Sequence, residues 1–166
     1  MFKQPIYIAA LFCILMMTAM RWQGAVLITP DSPRAIVDLE LANQPERVQT
    51  ILHVWNIKDV RLNIQIDFLF IVAYVFFLAL AAEGMASNWA NSKMQFLGWL
   101  MARMALVAGV LDIAENLLML QTIDQHYSLL SLSLTRNIAL IKFSLVGIVL
   151  LYLLISIPNL FKKKLS

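Results

Sequence analysis

Four long apolar runs separated by shorter polar stretches dominate the pattern of this chain of 166 residues. A helix needs about 20 mostly apolar residues to cross the hydrocarbon core of a bilayer. The runs predict four membrane-crossing helices, at residues 5–28, 63–82, 96–121 and 134–157. The first run follows Lys3 and has the start of a signal peptide, but no small-x-small cleavage site follows it cleanly, so we expect a retained helix.

The stretch at 29–62, between the first two runs, has a different pattern. Asp31-Ser32-Pro33 offers a helix N-cap followed by proline in the first turn. After Pro45, apolar residues recur with the i, i+3, i+4, i+7 spacing of an amphipathic helix, at Val48, Ile51, Leu52 and Trp55. Two short amphipathic helices on the membrane surface or over the mouth of the bundle satisfy this pattern. The sequence therefore predicts an all-α integral membrane bundle, as one domain over residues 1–166.

Composition excludes several classes of protein. The chain is 61% hydrophobic and only 14% charged, which argues against a water-soluble globular domain and against a disordered chain. The net charge of +3 comes with no basic stripe in a soluble segment, so we expect no nucleic-acid partner. With Cys13 as its one cysteine, the chain has no intrachain disulfide or cysteine-held cluster, and we expect no cofactor.

Positive residues near the predicted crossings indicate the orientation. Lys3, Lys93 and the Lys162–Lys164 run fall on one side of a four-crossing protein. The positive-inside rule then predicts two cytoplasmic termini and an extracytoplasmic loop at 29–62.

Each predicted crossing also carries ionisable residues, although a charge at the bilayer centre costs about 2.5–3.5 kcal/mol. At about 1.5 Å of rise per residue, most of them fall at similar depths in the outer half of the membrane. On the third crossing, Asp112, Glu115 and Asn116 share one helix face, and on the second, Asp67 shares a face with Tyr74. The basic members of this predicted group are Arg21, Lys142 and the shallower Arg136.

These residues predict a polar pocket that binds or passes a small ligand, a lipid head group or an ion. Asp112 and Glu115 would form its acidic side and Arg21 and Lys142 its basic side, with Glu40 of the loop as a lid residue. A hard cation, if one binds, would take oxygen ligands from Asp112, Glu115 and Asp67. The same carboxylates are also able to shuttle protons.

Two other functions are compatible with the same charged residues. The charges of an accessory subunit would only fix helix packing or dock another membrane protein or a second copy. A membrane enzyme would use paired carboxylates on a lipid, with Asp67 facing the pair on the third crossing. Membrane lipid is the expected partner in every case.

Several segments carry a resemblance to a known group of proteins. They are the runs 35–42 (AIVDLELA), Ile51–Trp55 and 67–70 (DFLF), and the face of Asp112, Glu115 and Asn116. In these the chain resembles uncharacterised four-helix inner-membrane proteins of bacteria. The resemblance implies a bacterial inner-membrane location and no particular activity.

Overall fold

A computed structural model of the protein describes residues 3–162. Within that range the chain is helical and contains no strand. The helices, in chain order, are α1 (Lys3–Gly24), a 3-10 turn (Ala25–Leu27), α2 (Ile36–Glu40), α3 (Pro45–Val54), α4 (Ile57–Ala86), α5 (Ser92–Ile123) and α6 (Leu129–Lys162).

Four of these helices, α1, α4, α5 and α6, are long and apolar enough to cross a membrane. The predicted fold class is therefore confirmed, and the chain is a multi-pass membrane protein. The helices differ from the predicted crossings mainly in length. For example, residues 57–62 belong to α4 and not to the loop, because the Asn56 side chain accepts a hydrogen bond from the backbone N–H of Lys58 and begins the helix there.

The last predicted crossing, at 134–157, stops just before Pro158, but the helix itself does not end there. Helix α6 continues through Pro158 to Lys162. Proline removes one backbone donor, and membrane helices tolerate that loss better than soluble helices because neighbouring groups and small local adjustments satisfy the freed carbonyl. Lys163 and Lys164, which support the predicted orientation, lie outside the described residues.

Helices α4, α5 and α6 pack against one another, and α1 packs against α4. Two glycines of α5 set the α4–α5 distance. A Cβ atom at Gly109 would lie 2.5 Å from Cγ2 of Val75, and one at Gly98 would lie 2.6 Å from Cβ of Ala86. The bare backbone at these positions allows the two helices to approach closely, as is common in membrane bundles.

Residues 25–55 form a cap over one end of the bundle, which we call the cap end. The predicted stripe of α3 is confirmed, since Val48, Ile51, Leu52 and Trp55 are all buried. The indole N–H of Trp55 donates to the carbonyl oxygen of Leu27 and to Oγ of Ser32. These bonds join the beginning and the end of the cap to each other.

The helix expected directly after Asp31-Ser32-Pro33 begins later, at Ile36. Ser32 does not act as an N-cap because its hydroxyl donates to the carbonyl oxygen of Leu27. Thr29 and Ser32 instead form a short backbone bridge. Helix α2 starts after Ala35, whose φ of 53° is unusual for a residue with a side chain.

The buried apolar residues form two clusters along the bundle. The first joins the cap to the cap ends of the helices and includes Ile64 of α4, Met119 of α5 and Leu132 of α6. The second, further from the cap, includes Ile71 of α4, Ala105 of α5 and Val149 of α6. On each of the three helices, the residues between these two clusters include the predicted charged site.

Candidate functional site: an acidic centre around Lys142

Lys142 of α6 is buried between three carboxylates. Its Nζ lies 2.6 Å from Oδ1 of Asp112, 2.9 Å from Oε2 of Glu115 and 3.7 Å from Oε1 of Glu40. The two α5 residues stand nearly one turn apart and so face the same side. Glu40 comes from α2 in the cap. The ion pairs therefore join two membrane helices and the cap at one ammonium group.

Asp112 has a partner at each carboxylate oxygen. Oδ1 accepts a hydrogen bond from Lys142, and Oδ2 accepts one of 2.8 Å from the hydroxyl of Tyr74 on α4. Asp112 thus links α4, α5 and α6. It lies 11 residues from the end of α5 at Ile123, or about 16 Å along the helix, and 20 residues from the opposite end at Ser92. The centre is therefore in the cap half of the bundle.

A carboxylate–amide hydrogen bond lies next to the ion pairs of Lys142. The Asn116 amide donates a 2.7 Å hydrogen bond to Oδ2 of Asp67 on α4. Asp67 is half-buried and makes no ion pair with Lys142. We refer to Glu40, Asp67, Asp112, Glu115, Lys142, Tyr74 and Asn116 together as the acidic centre.

Several buried oxygen atoms of the acidic centre have no hydrogen-bond donor. They are both carboxylate oxygens of Glu115, Oε2 of Glu40 and Oδ1 of Asn116. Glu115 is 0% exposed, and its Oε2 forms an ion pair of 2.9 Å with Lys142. Because a buried acceptor without a donor costs about 1–3 kcal/mol, a further donor would stabilise these oxygens, of which Oε2 of Glu115 already has the ammonium group of Lys142 2.9 Å away.

The charge of the acidic centre is also unbalanced. If all four carboxyl groups were ionised, Lys142 would neutralise only one of them. Charges in a protein interior interact far more strongly than in water, and an uncompensated buried charge is strongly destabilising. The centre therefore has a chemical requirement for added positive charge.

The structure does not bring the two predicted arginines into this centre. Arg21 of α1 and Arg136 of α6 are exposed, and neither forms an ion pair within the described part of the chain. Depth alone suggested that they would join Lys142, but the helical phase of each side chain points it away from the bundle. Long cationic side chains at such positions extend toward the membrane surface.

Glu40 is the member of the acidic centre that comes from outside the spanning helices. Burial raises the pKa of its carboxyl group, the charge of Lys142 opposes that rise, and the charge of Asp112 adds to it. The net shift of the pKa is upward, which favours the protonated form of Glu40 in this position.

Asp112, Glu115 and Asp67, named above as the ligands of a cation if one binds, are not arranged as a metal-ligand group. Within residues 3–162, no group of three His, Cys, Asp or Glu residues is arranged to hold a metal ion. Asp112, Glu115 and Asp67 instead use their oxygens on Lys142, Tyr74 and Asn116. Their carboxylates are thus spread between separate partners and do not converge on one point.

An ion-pair clasp beside α2 was not predicted from the sequence. Asp38 accepts three hydrogen bonds from Arg34, one from its backbone N–H and two from its guanidinium group. The Arg47 guanidinium lies 3.9 Å from Asp38 and donates to the carbonyl oxygen of Asp31. The i, i+4 spacing of Arg34 and Asp38 was the available sequence signal. Burial alone raises the pKa of Asp38, but these bonds and charges outweigh it and lower the pKa below its ordinary value.

Comparisons with protein-family models, with curated proteins and with solved structures found no match to this chain.

Proposed function

We propose that this protein binds a small ion at the acidic centre, in the half of the membrane nearest the cap, and that the ion is a proton. The observation that carries the proposal is Glu115. Its carboxyl group is fully buried, its Oε1 has no hydrogen-bond donor, and it shares the one ammonium group of Lys142 with Glu40 and Asp112. A proton supplies both the missing donor and the missing positive charge, and it needs no cavity.

Other ligands fit these observations less well. A lipid phosphate is an anion, and the only buried base of the centre, Lys142, already faces three carboxylates. A hard metal ion needs several converging oxygens, which the described residues do not arrange. Binding is also favoured over passage through the bundle. The apolar cluster beyond Tyr74 contains no buried charged residue along the way to Tyr152.

The proposal extends to location and orientation. We propose a bacterial inner-membrane protein with both termini in the cytoplasm and the cap outside, because Lys3 and Lys93 lie at the end opposite the cap. Protons would then reach the acidic centre from the extracytoplasmic side.

Infrared difference spectroscopy of the purified protein in lipid nanodiscs tests the proposal. The carbonyl stretch of protonated carboxylic acids is expected at neutral pH and should disappear on titration to alkaline pH. E115Q is expected to remove part of this band, and D67N provides a second variant in case E115Q folds poorly. The matched control is E46Q, because Glu46 is exposed on α3 and should not contribute. A wild-type protein with no such band at neutral pH would refute proton binding.

A structural role is the second candidate, and the closure of the acidic centre between two apolar clusters favours it. An accessory subunit would need its charges only to hold α5, α6 and the cap in register. In that case titration would leave the infrared band of the carboxyl groups unchanged, and E115Q would alter only the stability. Passage of protons through the bundle is a separate question. Proteoliposomes with a trapped pH-sensitive dye test it after a step in external pH, and we expect no proton flux.

A further inference from the structure

The cap contributes one acid, Glu40, to a centre that is otherwise built from membrane helices. Residues 35–42 contain α2 and its two ends, and we call this segment the lid. Leu39 and Ala42 of the lid are buried in the apolar cluster at the cap end. When the lid is docked, Glu40 lies 3.7 Å from Lys142. The lid thus covers the acidic centre and also forms part of it.

We propose that the lid undocks from the bundle as the acidic centre loses protons and docks again as the centre regains them. This inference rests on the proposed function, and it adds the regulation of access to the same site. Docking places a fourth carboxyl group beside Asp67, Asp112 and Glu115, where Lys142 is the one buried cation in the described residues. The added acid is tolerated when the carboxyl groups hold protons, and it is repelled when they are ionised.

Every element packed around Glu40 contributes to this balance. The groups that face it are Lys142 from α6, Asp112 and Glu115 from α5, and the more distant Asp67 and Tyr74 from α4. Three of these five groups are acids and one is a base. The pKa of Glu40 is raised by burial, and the excess of acids over bases around it acts in the same direction. A carboxyl group with a raised pKa in the docked state takes up protons on docking, so the docked state is favoured at low pH and lost as pH rises.

The backbone at the start of the lid supports a movable segment. Ala35 has φ 53° and ψ −132°, a region that residues with a Cβ rarely occupy and that costs about 1–3 kcal/mol. The clasp of Arg34 and Asp38 closes around this residue. At the other end, Gln44 is extended and α3 begins at Pro45. The lid is therefore bounded by a strained residue on one side and an extended one on the other.

The neighbouring parts of the cap are anchored more firmly. Ser32 bonds to the carbonyl oxygen of Leu27, and Trp55 bonds to both of them. Val48 and Ile51 of α3 are fully buried in the apolar cluster. The hydrogen bonds among Leu27, Ser32 and Trp55 do not involve residues 35–42, so they are able to hold the ends of the cap while the lid moves. Leu39 and Ala42 share the apolar cluster with Val48 and Ile51 and would leave it on undocking.

Cysteine accessibility in nanodiscs tests the lid. The A42C substitution is made in a C13A background, since Ala42 is 3% exposed and the change in volume is small. Q49C, at an exposed α3 position, and A105C, in the buried bundle, are the matched controls. Rates with a membrane-impermeant maleimide are divided by the Q49C rate at each pH, which removes the ordinary effect of thiol ionisation.

The normalised A42C rate is expected to rise by about fivefold or more from acidic to alkaline pH, within the usual range for linked equilibria. E40Q removes the acid that the lid places in the acidic centre and should keep A42C protected at alkaline pH. A35G relieves the strained φ and should shift opening to higher pH. A normalised rate that stays constant with pH, or an E40Q variant that opens like the wild type, would overturn the lid.

Failure of the lid is distinguishable from failure of proton binding. If the carboxyl band titrates in the infrared spectrum while the A42C rate stays constant, the lid is wrong and proton binding stands. If neither changes with pH, both proposals are wrong.

Discussion

The ammonium group of Lys142 lies 2.6 Å from Oδ1 of Asp112, although the two residues are 30 positions apart and belong to different membrane helices. Both residues are nearly fully buried. The pair is the centre of a group of four acids in which one base is available.

Replacing Lys142 by methionine should destabilise the protein strongly. The substitution keeps the apolar stem and removes the buried ammonium group, so that Glu40, Asp112 and Glu115 lose their shared partner. Removing one member of a buried ion pair typically costs about 3–5 kcal/mol. Unfolding of K142M in detergent measures this loss.

The double variant D112N/K142M should be more stable than K142M alone, because it removes one of the uncompensated acids. The control is K58M, since Lys58 is exposed at the start of α4 and its replacement should change stability by less than about 0.5 kcal/mol. Equal effects of K142M and K58M would contradict the importance of the pair.

The hydrogen bond from Tyr74 to Asp112 should be measurable as a coupling energy. Y74F removes the hydroxyl that donates to Oδ2 of Asp112, and D112A removes the acceptor. A double-mutant cycle is expected to give a coupling of about 0.6–1.7 kcal/mol, the range found for hydrogen bonds between membrane helices. Unfolding of the four proteins under one set of conditions gives the value.

Tyr152 provides the control for this cycle. Its hydroxyl donates to the carbonyl oxygen of Met94 and not to Asp112, although Tyr152 belongs to the same apolar cluster as Tyr74. Y152F and D112A should therefore be additive. A coupling between them as large as that of Tyr74 would show that the cycle reports general loosening of the bundle.

Adding one methyl group to α5 should disrupt the contact between α4 and α5. In G98A the new Cβ meets the Tyr152 hydroxyl and lies 2.6 Å from Cβ of Ala86, so the helices must separate. Overpacking of this kind costs about 1–3 kcal/mol. The matched control is G147A in α6, where nothing lies within 4 Å of the new Cβ. That variant should be neutral or slightly more stable, because alanine favours helix over glycine.

Thermal unfolding of G98A and G147A side by side checks this prediction. A G98A protein as stable as the wild type would mean that α4 and α5 do not approach as closely as described.

The clasp around Asp38 should make the cap sensitive to acid. Its pKa is lowered in the folded protein, so its contribution to stability is fully present above the ordinary carboxyl pKa of about 4. That contribution is lost as pH falls through the lower folded value. Cleavage of the cap by pepsin, which is active in acid, should accelerate over this range in the wild type.

D38N removes the titrating group, so its cleavage should be faster at mild acidity and should change less as pH falls. The control is D31N, because Asp31 is exposed and uses only its backbone carbonyl in the clasp. A D38N protein with the wild-type acid dependence would exclude Asp38 as the cause. Together with the lid, this prediction places the docked cap in a window between strong acid and alkaline pH.

Hydrophobic patterning was sufficient to predict the architecture, because the length of an apolar run and the period of a stripe are local properties. The four membrane helices and the buried stripe of α3 follow from them directly. Local rules were less successful where a tertiary contact competes. The hydroxyl of Ser32 donates a hydrogen bond to Leu27 and accepts one from Trp55, so it does not cap a helix. A membrane environment allows α6 to continue through Pro158.

Depth along each helix, which the sequence by itself determined, placed Asp112, Glu115, Asn116, Asp67 and Lys142 in the same half of the bundle, and in the structure these residues contact one another. Which side chains at that level face one another was decided only by the tertiary structure, because helical rotation and helix neighbours are set by packing. The same packing leaves Arg21 and Arg136 exposed and brings Glu40 from the cap to Lys142. The excess of acid over base in the centre is therefore a property of the fold, since the sequence, counted by depth, contains as many bases as acids.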